Sequence, residues 1–165
     1  MSSERQPPID YIARTREQYE ALGHSSYRWV ESEEPPPWAP LRRPLNECRL
    51  GLVASGGVYV AGQVAFHHRD DTSFRAIDRD VEMADLRTSH FAYDQSAARS
   101  DPNVIFPIEP LRRCVASGRI GSLGRHAYTC MGGIYSSRRV REELAPEIAR
   151  RLIEDQVDLV LLVPV

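Results

Sequence analysis

The residues able to carry chemistry in this chain are few and widely spaced. His90 follows Ser89, with Tyr93 and Asp94 just behind it and Asp101-Pro102-Asn103 further on. An imidazole titrates near neutrality, so His90 suits an acid or base role; it equally suits fixing a loop by hydrogen bonds. Asp94 and Asp101 suit either orienting an amine or capping nearby turns, and Asn103 either holding a loop or binding substrate. Cys130 precedes Gly132-Gly133, where the end of a strand would present a working thiol. No base or second thiol adjoins it, so a buried structural cysteine is the competing reading. Ser55-Gly56-Gly57 ends an apolar run, and such small residues allow a tight turn and a close approach to a ligand. Their N–H groups would serve a carboxylate provided that a helix starts next; a plain turn is the alternative. His67-His68, beside Arg69, Asp70 and Asp71, reads as a charged loop, because no third ligand stands at metal-site spacing.

Composition removes several classes of function. All 21 basic residues are arginine, which excludes a lysine Schiff base, a pyridoxal site or a P-loop within this chain. A net charge of −2 provides no electrostatic case for nucleic acid or an anionic membrane. The three cysteines, Cys48, Cys114 and Cys130, form no paired pattern and suit a reducing compartment. Met1 to Glu20 lacks an apolar core, and no apolar run reaches membrane-spanning length, so a cytoplasmic protein is expected.

The elements that would position these groups alternate in type. Ile12, Thr15, Tyr19 and Leu22 fall at helical spacing, with Pro8 suited to the first turn and Gly23 ending the helix. A short helix or turn around Tyr27 to Val30 leads into the Pro-rich stretch 34–40, where Trp29 and Trp38 read as anchors for an arm. Arg49 to Ala54 reads as the first strand, Gly62 to Asp80 as a loop, Asp85 to Ser89 as a second strand and Arg125 to Met131 as a third. A helix is expected from Ile108 to Ser117, stopped by Gly118, with Cys114 packing beside its buried face of Ile108, Leu111 and Val115. A short helical piece at Arg138 to Leu144 precedes a helix entered at Pro146, with Ile148, Ala149, Leu152 and Ile153 as its stripe. Val157 to Val165 is apolar enough to expect a central parallel strand buried on both faces. The expected fold is one α/β domain over residues 1–165, with a doubly wound, mainly parallel sheet and helices on both faces. An arm over 1–47 would precede a sheet-forming part over 48–165 that lacks its C-terminal portion.

Taken together, these segments resemble the selenoprotein B family of glycine, sarcosine, betaine and D-proline reductases. The resemblance rests on Asp10-Tyr11-Ile12 with Tyr19, Tyr27-Arg28-Trp29-Val30, Pro44-Leu45, Ser55-Gly56-Gly57 and Ser89-His90 with Tyr93-Asp94. Its most specific part runs from Asp101 and Asn103 through Phe106-Pro107 and Leu111 to Gly118-x-Ile120-Gly121-Ser122-Leu123, followed by Pro146-x-Ile148-Ala149 and Val157-Asp158. The resemblance implies a reductase that cleaves a C–N or similar bond of a small amino-acid-like substrate, with a thiol reductant or partner reductase subunits. It implies a selenocysteine or cysteine nucleophile on the loop after the last strand, and this sequence has none there. The expectation is therefore an in-frame UGA read as stop, no cofactor within these 165 residues, and selenocysteine in the full-length product. His90, Asp94 and Cys130 are the expected catalytic positions. Ser55, Gly56, Gly57, Asp101 and Asn103 are the expected substrate contacts, with no metal. A homo- or hetero-oligomer is open. The alternatives are a non-catalytic interaction domain, or a lyase or racemase working through Cys130 with His90 or His126.

Overall fold

The computed structural model describes residues 9–26 and 28–165. The chain divides after Pro37 into two compact units. In the first unit, α1 spans Tyr11–Ala21. The Asp10 carboxylate caps it by accepting from the Ala13 N–H at 3.0 Å. Tyr11 meets Trp29 edge-on with ring centroids 5.8 Å apart. Pro8 and Tyr27 lie outside the described residues, and Arg28 to Val30 has no regular structure, in place of the expected turn. In the second unit, Trp38 is 91% exposed, so it is not the anchor expected of it.

The second unit is built on a mixed sheet. β1 (Arg49–Ala54) pairs in parallel with β5 (Ser122–Leu123), β6 (His126–Cys130) and β7 (Leu159–Val163). β5 and β6 lie along the same side of β1. Two residues, Gly51 and Leu52, separate the paired positions on β1, against Gly124 to Ala127 on the other side, so the pair is one strand interrupted by a bulge. β7 takes the opposite side of β1, and β3 (Phe74–Asp78) pairs antiparallel with β6 at the outer edge. A separate antiparallel pair joins β2 (Val58–Val60) to β4 (Leu86–Thr88).

Alternation along the strands sends side chains to two cores, one on each face. Leu50, Leu52 and Ala54 of β1 join Ala127 of β6 and Ile77 of β3. There they meet α3 (Ile108–Ala116) through Ile108 and Leu111, and α2 (Ser96–Ser100) through Ala98. Val53, Tyr128, Phe74 and Ala76 point the other way, against Ile148 and Leu152 of α5 (Ala145–Glu154). The α/β reading therefore holds, with a mainly parallel sheet between helices. α5 is entered through α4 (Ser137–Arg139) and one π-helical turn, Val140–Leu144, so the piece expected before Pro146 runs into it.

Two strand expectations differ from the fold, and one strand, β2, was not expected. Phe74–Asp78 was expected within a loop but forms β3. Its polar and apolar residues follow no clean period, and the ladder to β6 supplies what local pattern does not. β2 is three residues long, too short for periodicity to reveal. The C-terminal strand, expected in the middle of a sheet and buried on both faces, pairs with β1 alone among the described residues. Val160, Leu161 and Leu162 are 39%, 37% and 68% exposed.

Candidate functional site

Successive parallel strands leave β1 in opposite directions, β5–β6 to one side and β7 to the other. Such a reversal opens a crevice beyond the carboxyl ends of the strands, where open α/β sheets bind ligands. Here those ends are Ser55-Gly56-Gly57 after β1, Met131-Gly132-Gly133 after β6 and Pro164-Val165 after β7. The segments are bound to one another: the Ser55 N–H donates to the Val163 carbonyl (3.0 Å), the Val165 N–H donates to the Ser55 hydroxyl (3.0 Å), and the Gly57 N–H donates to the Cys130 carbonyl (3.0 Å). Gly57 turns the chain at φ +67°, and a Cβ there would collide with the Ser89 carbonyl, so only glycine fits.

His90 occupies this junction. It is 8% exposed, and its ring nitrogens meet two backbone N–H groups, Ala92 to Nδ1 at 3.0 Å and Gly132 to Nε2 at 3.3 Å. Burial holds its protonation below the ordinary imidazole range. The Phe91 ring stacks on it at 5.6 Å and the Tyr93 ring tilts against it at 4.7 Å. Tyr93 donates its hydroxyl to the Gly56 carbonyl at 2.9 Å, and burial raises its phenol pKa, opposed by Arg99. Gly132 has no side chain where three polar atoms crowd it. A Cβ there would lie 2.8 Å from the Val165 carbonyl, and 3.1 Å from both His90 Nε2 and the Ser55 carbonyl. The arrangement can hold the end of β7 against an uncharged imidazole, and it can move one proton at that place.

The other expected residues divide between this junction and elsewhere. Ser55 and Gly57 belong to the junction, but their N–H groups are spent within the sheet and the chain enters strand β2, so the helix that would make them a carboxylate cradle is missing. Gly56 accepts from Tyr93 and adjoins Ile105 and Val165. Cys130 lends the junction only its carbonyl. Its side chain packs in the core beneath α5, and burial pushes the thiol up to about 11, so it is not a thiolate at neutral pH. Asp94 accepts from the Ser96 hydroxyl (2.6 Å) and N–H (2.9 Å), which hold its carboxyl below the usual range and tie it to the start of α2. Asp101 accepts from the Asn103 N–H (3.0 Å) and side-chain amide (2.9 Å). Asn103 in turn accepts from the Glu109 N–H (3.2 Å) at the first turn of α3. These two line a groove of about 370 Å³ with Arg87, Arg99 and Glu109, and His90 is not part of its wall. His67 and His68 stack at 4.7 Å on their loop, and no cluster fit for a metal occurs among the described residues. Sequence reasoning missed Tyr93 and Gly132 as parts of the site; the Gly-Gly pair after a strand was the available signal for the second.

The topology and the junction at its switch point define a doubly wound α/β domain that presents a buried histidine at its strand ends. Residues 24–165 match the model of the glycine/sarcosine/betaine reductase selenoprotein B family, and the chain belongs to that family. It is 36% identical over 140 residues to the D-proline reductase subunit gamma of Acetoanaerobium sticklandii, covering 85% of this chain and 58% of that one. It is 35% identical over 128 residues to the betaine reductase complex component B subunit beta of Peptoclostridium acidaminophilum, covering 72% of this chain and 28% of that one. A glycine reductase complex component B subunit gamma of Symbiobacterium thermophilum is 27% identical over 145 residues, covering 84% of this chain and 33% of the relative. The chain thus spans a little over half of the first relative and a third or less of the other two. No solved structure matches it significantly.

Proposed function

We propose that this domain is the substrate-side part of a reductase that cleaves a C–N or similar bond of a small amino-acid-like molecule. A selenol or thiol carried by a segment following β7 would be its nucleophile. The observation that carries the reading is the convergence of the ends of β1, β6 and β7 on His90, which directs whatever follows Val165 past a buried imidazole. The selenolate would attack carbon, the C–Se bond forming as the C–N bond breaks, and the departing nitrogen would take a proton that the neutral His90 imidazole relays from solvent. A dithiol then returns the carbon to C–H and leaves as a disulfide, so two electrons and two protons pass in total. A low-pKa chalcogen meets the need for an anionic nucleophile, which Cys130 at about 11 does not. Relatives named as reductase subunits support action with partner subunits.

The test begins with the gene beyond the codon for Val165. An in-frame UGA followed by open coding sequence supports the reading, and a closed frame removes it. The extended protein is then assayed for dithiol-dependent amine release. His90→Gln should lower turnover by roughly 10²-fold or more, as loss of a general acid does. Cys130→Ala should leave most of it. Activity that depends on Cys130 and ignores His90 would favour the lyase-type alternative.

A second reading rests on the exposed apolar edge of β7, which suits an interaction domain whose sheet a partner completes. An extended protein without turnover that still assembles with reductase subunits would favour it.

A further inference from the structure

We propose that Tyr93 is a positioning residue that clamps the His90 imidazole so that Nε2 bears its proton and faces the end of β7. The clamp has two contacts: the Tyr93 hydroxyl donates to the Gly56 carbonyl at 2.9 Å, tethering the loop to the turn after β1, and the phenol ring lies 4.7 Å from the imidazole. Phe91 closes on the imidazole as well, nearly parallel to it at 14°. The Gln95 amide donates to the His90 carbonyl, so backbone and ring are held together.

The tautomer follows from counting donors. A neutral imidazole has one N–H and one acceptor nitrogen, yet both nitrogens of His90 meet backbone N–H groups. Only one of the two can be accepted. The Ala92 contact at 3.0 Å is shorter than the Gly132 contact at 3.3 Å, so Nδ1 accepts and the proton resides on Nε2. Nε2 and the Ser55 and Val165 oxygens stand around one side of Gly132, 3.1, 3.1 and 2.8 Å from where a Cβ on that residue would lie. A second proton would set an Nδ1–H against the Ala92 N–H. Of the groups facing His90, Tyr93 is the titratable one on its own loop, the turn after β1 and the end of β6 present backbone atoms, and Val165 at the end of β7 carries the terminal carboxylate in the 165-residue protein. Asp94, the nearest carboxylate in sequence, is engaged by Ser96. Without the Tyr93 hydroxyl the loop loses its tether to Gly56, and the ring can rotate away from the donor-to-donor contact with Gly132. Its use in the reaction, as the relay of a proton to the leaving nitrogen, rests on the function proposed above.

The test is a long-range proton–nitrogen NMR titration of the 165-residue protein with labelled histidine, His90→Gln assigning the His90 signals among the five histidines. The wild type should show one His90 tautomer, protonated on Nε2, titrating below the ordinary imidazole range. Tyr93→Phe keeps the ring and should mix the tautomers and strengthen protonation about tenfold, roughly one pH unit, with the other histidines unmoved. A wild-type His90 protonated on Nδ1 or averaged between nitrogens overturns the inference, as does an unchanged His90 in Tyr93→Phe. Should that variant fail to fold, Tyr93→Leu, which also lacks the hydroxyl, is read in its place by the same two criteria. Turnover of the extended protein plays no part in this result, so failure here and failure of the reductase reading are separate outcomes.

Discussion

Cys130 and His90 sit near the same strand end, and burial acts on them in ways that assign different work. Burial disfavours charge, which raises a thiol and lowers an imidazole. The folded Cys130 thiol titrates at about 11 against an ordinary value of 9.0. A thiol whose folded pKa is raised contributes stability that is fully present below the unfolded value and is lost as pH climbs through the folded one. That contribution should therefore fade between about pH 9 and 11 in wild type and be absent from Cys130→Ala, as urea unfolding at several pH values would show. At pH 8 the native thiol should alkylate on the order of 10²-fold more slowly than in the unfolded chain, because its thiolate fraction is smaller by that factor. Rapid native alkylation at Cys130 would restore the lyase-type alternative. His90 is the mirror case. Its neutral form is favoured by folding, so its stabilising share is present above the ordinary imidazole value of 6.5 and falls away as pH drops through the lowered one.

At the scale of elements, α5 is the support under the site. Leu152 and Ile148 pack on Tyr128 of β6, whose following residues supply the Cys130 carbonyl and the Gly132 N–H to the junction. Leu152 is 8% exposed, so Leu152→Ala should cost about 2–5 kcal/mol in urea unfolding, the range for a buried leucine replaced by alanine. A loss below about 1 kcal/mol would mean that α5 is not seated as described. This helix was legible in advance from its start signal at Pro146 and from Ile148 and Leu152, while the other two members of the expected stripe, Ala149 and Ile153, lie exposed, Ile153 at 74%. β1 and α3 were legible for the same reason. β3 was not, since Phe74 to Asp78 becomes a strand only through its ladder to β6. The site was legible to the extent that its residues announce themselves by type: His90 and the Ser55-Gly56-Gly57 turn were singled out and do meet. Asp94, Asp101 and Asn103 were singled out too, but each satisfies helix and turn termini near it, a choice that residue type leaves open. Tyr93 was invisible as a site residue because its partner, the Gly56 carbonyl, is 37 residues away in sequence.

For the molecule as a whole, the unresolved physical demand is the edge of β7. An edge strand offers a row of unpaired backbone groups, and natural proteins blunt such edges with charges, prolines or a covering element. Leu159 to Val163 contains neither a charge nor a proline, and Leu162 is 68% exposed. The strand beside it, β1, is fully engaged by β5–β6 on its far side, so the sheet can grow only at β7 or at β3. β3 carries Arg75 and Asp78, and Arg75 is occupied by the Val64 and Ala65 carbonyls and by the face of Phe66. Growth at β7 is the apolar option. The 165-residue protein should therefore associate with rising concentration in sedimentation velocity. Leu162→Lys should weaken that association about tenfold or more, equivalent to roughly 1.4 kcal/mol, because a charge on the edge must be desolvated when a second strand docks. A control at Val64, which is 79% exposed on the loop between β2 and β3, should leave association unchanged when replaced by lysine. A wild-type protein that sediments as a monomer at high concentration would show that the edge is tolerated bare, and with it would go the strongest structural support for the interaction-domain reading.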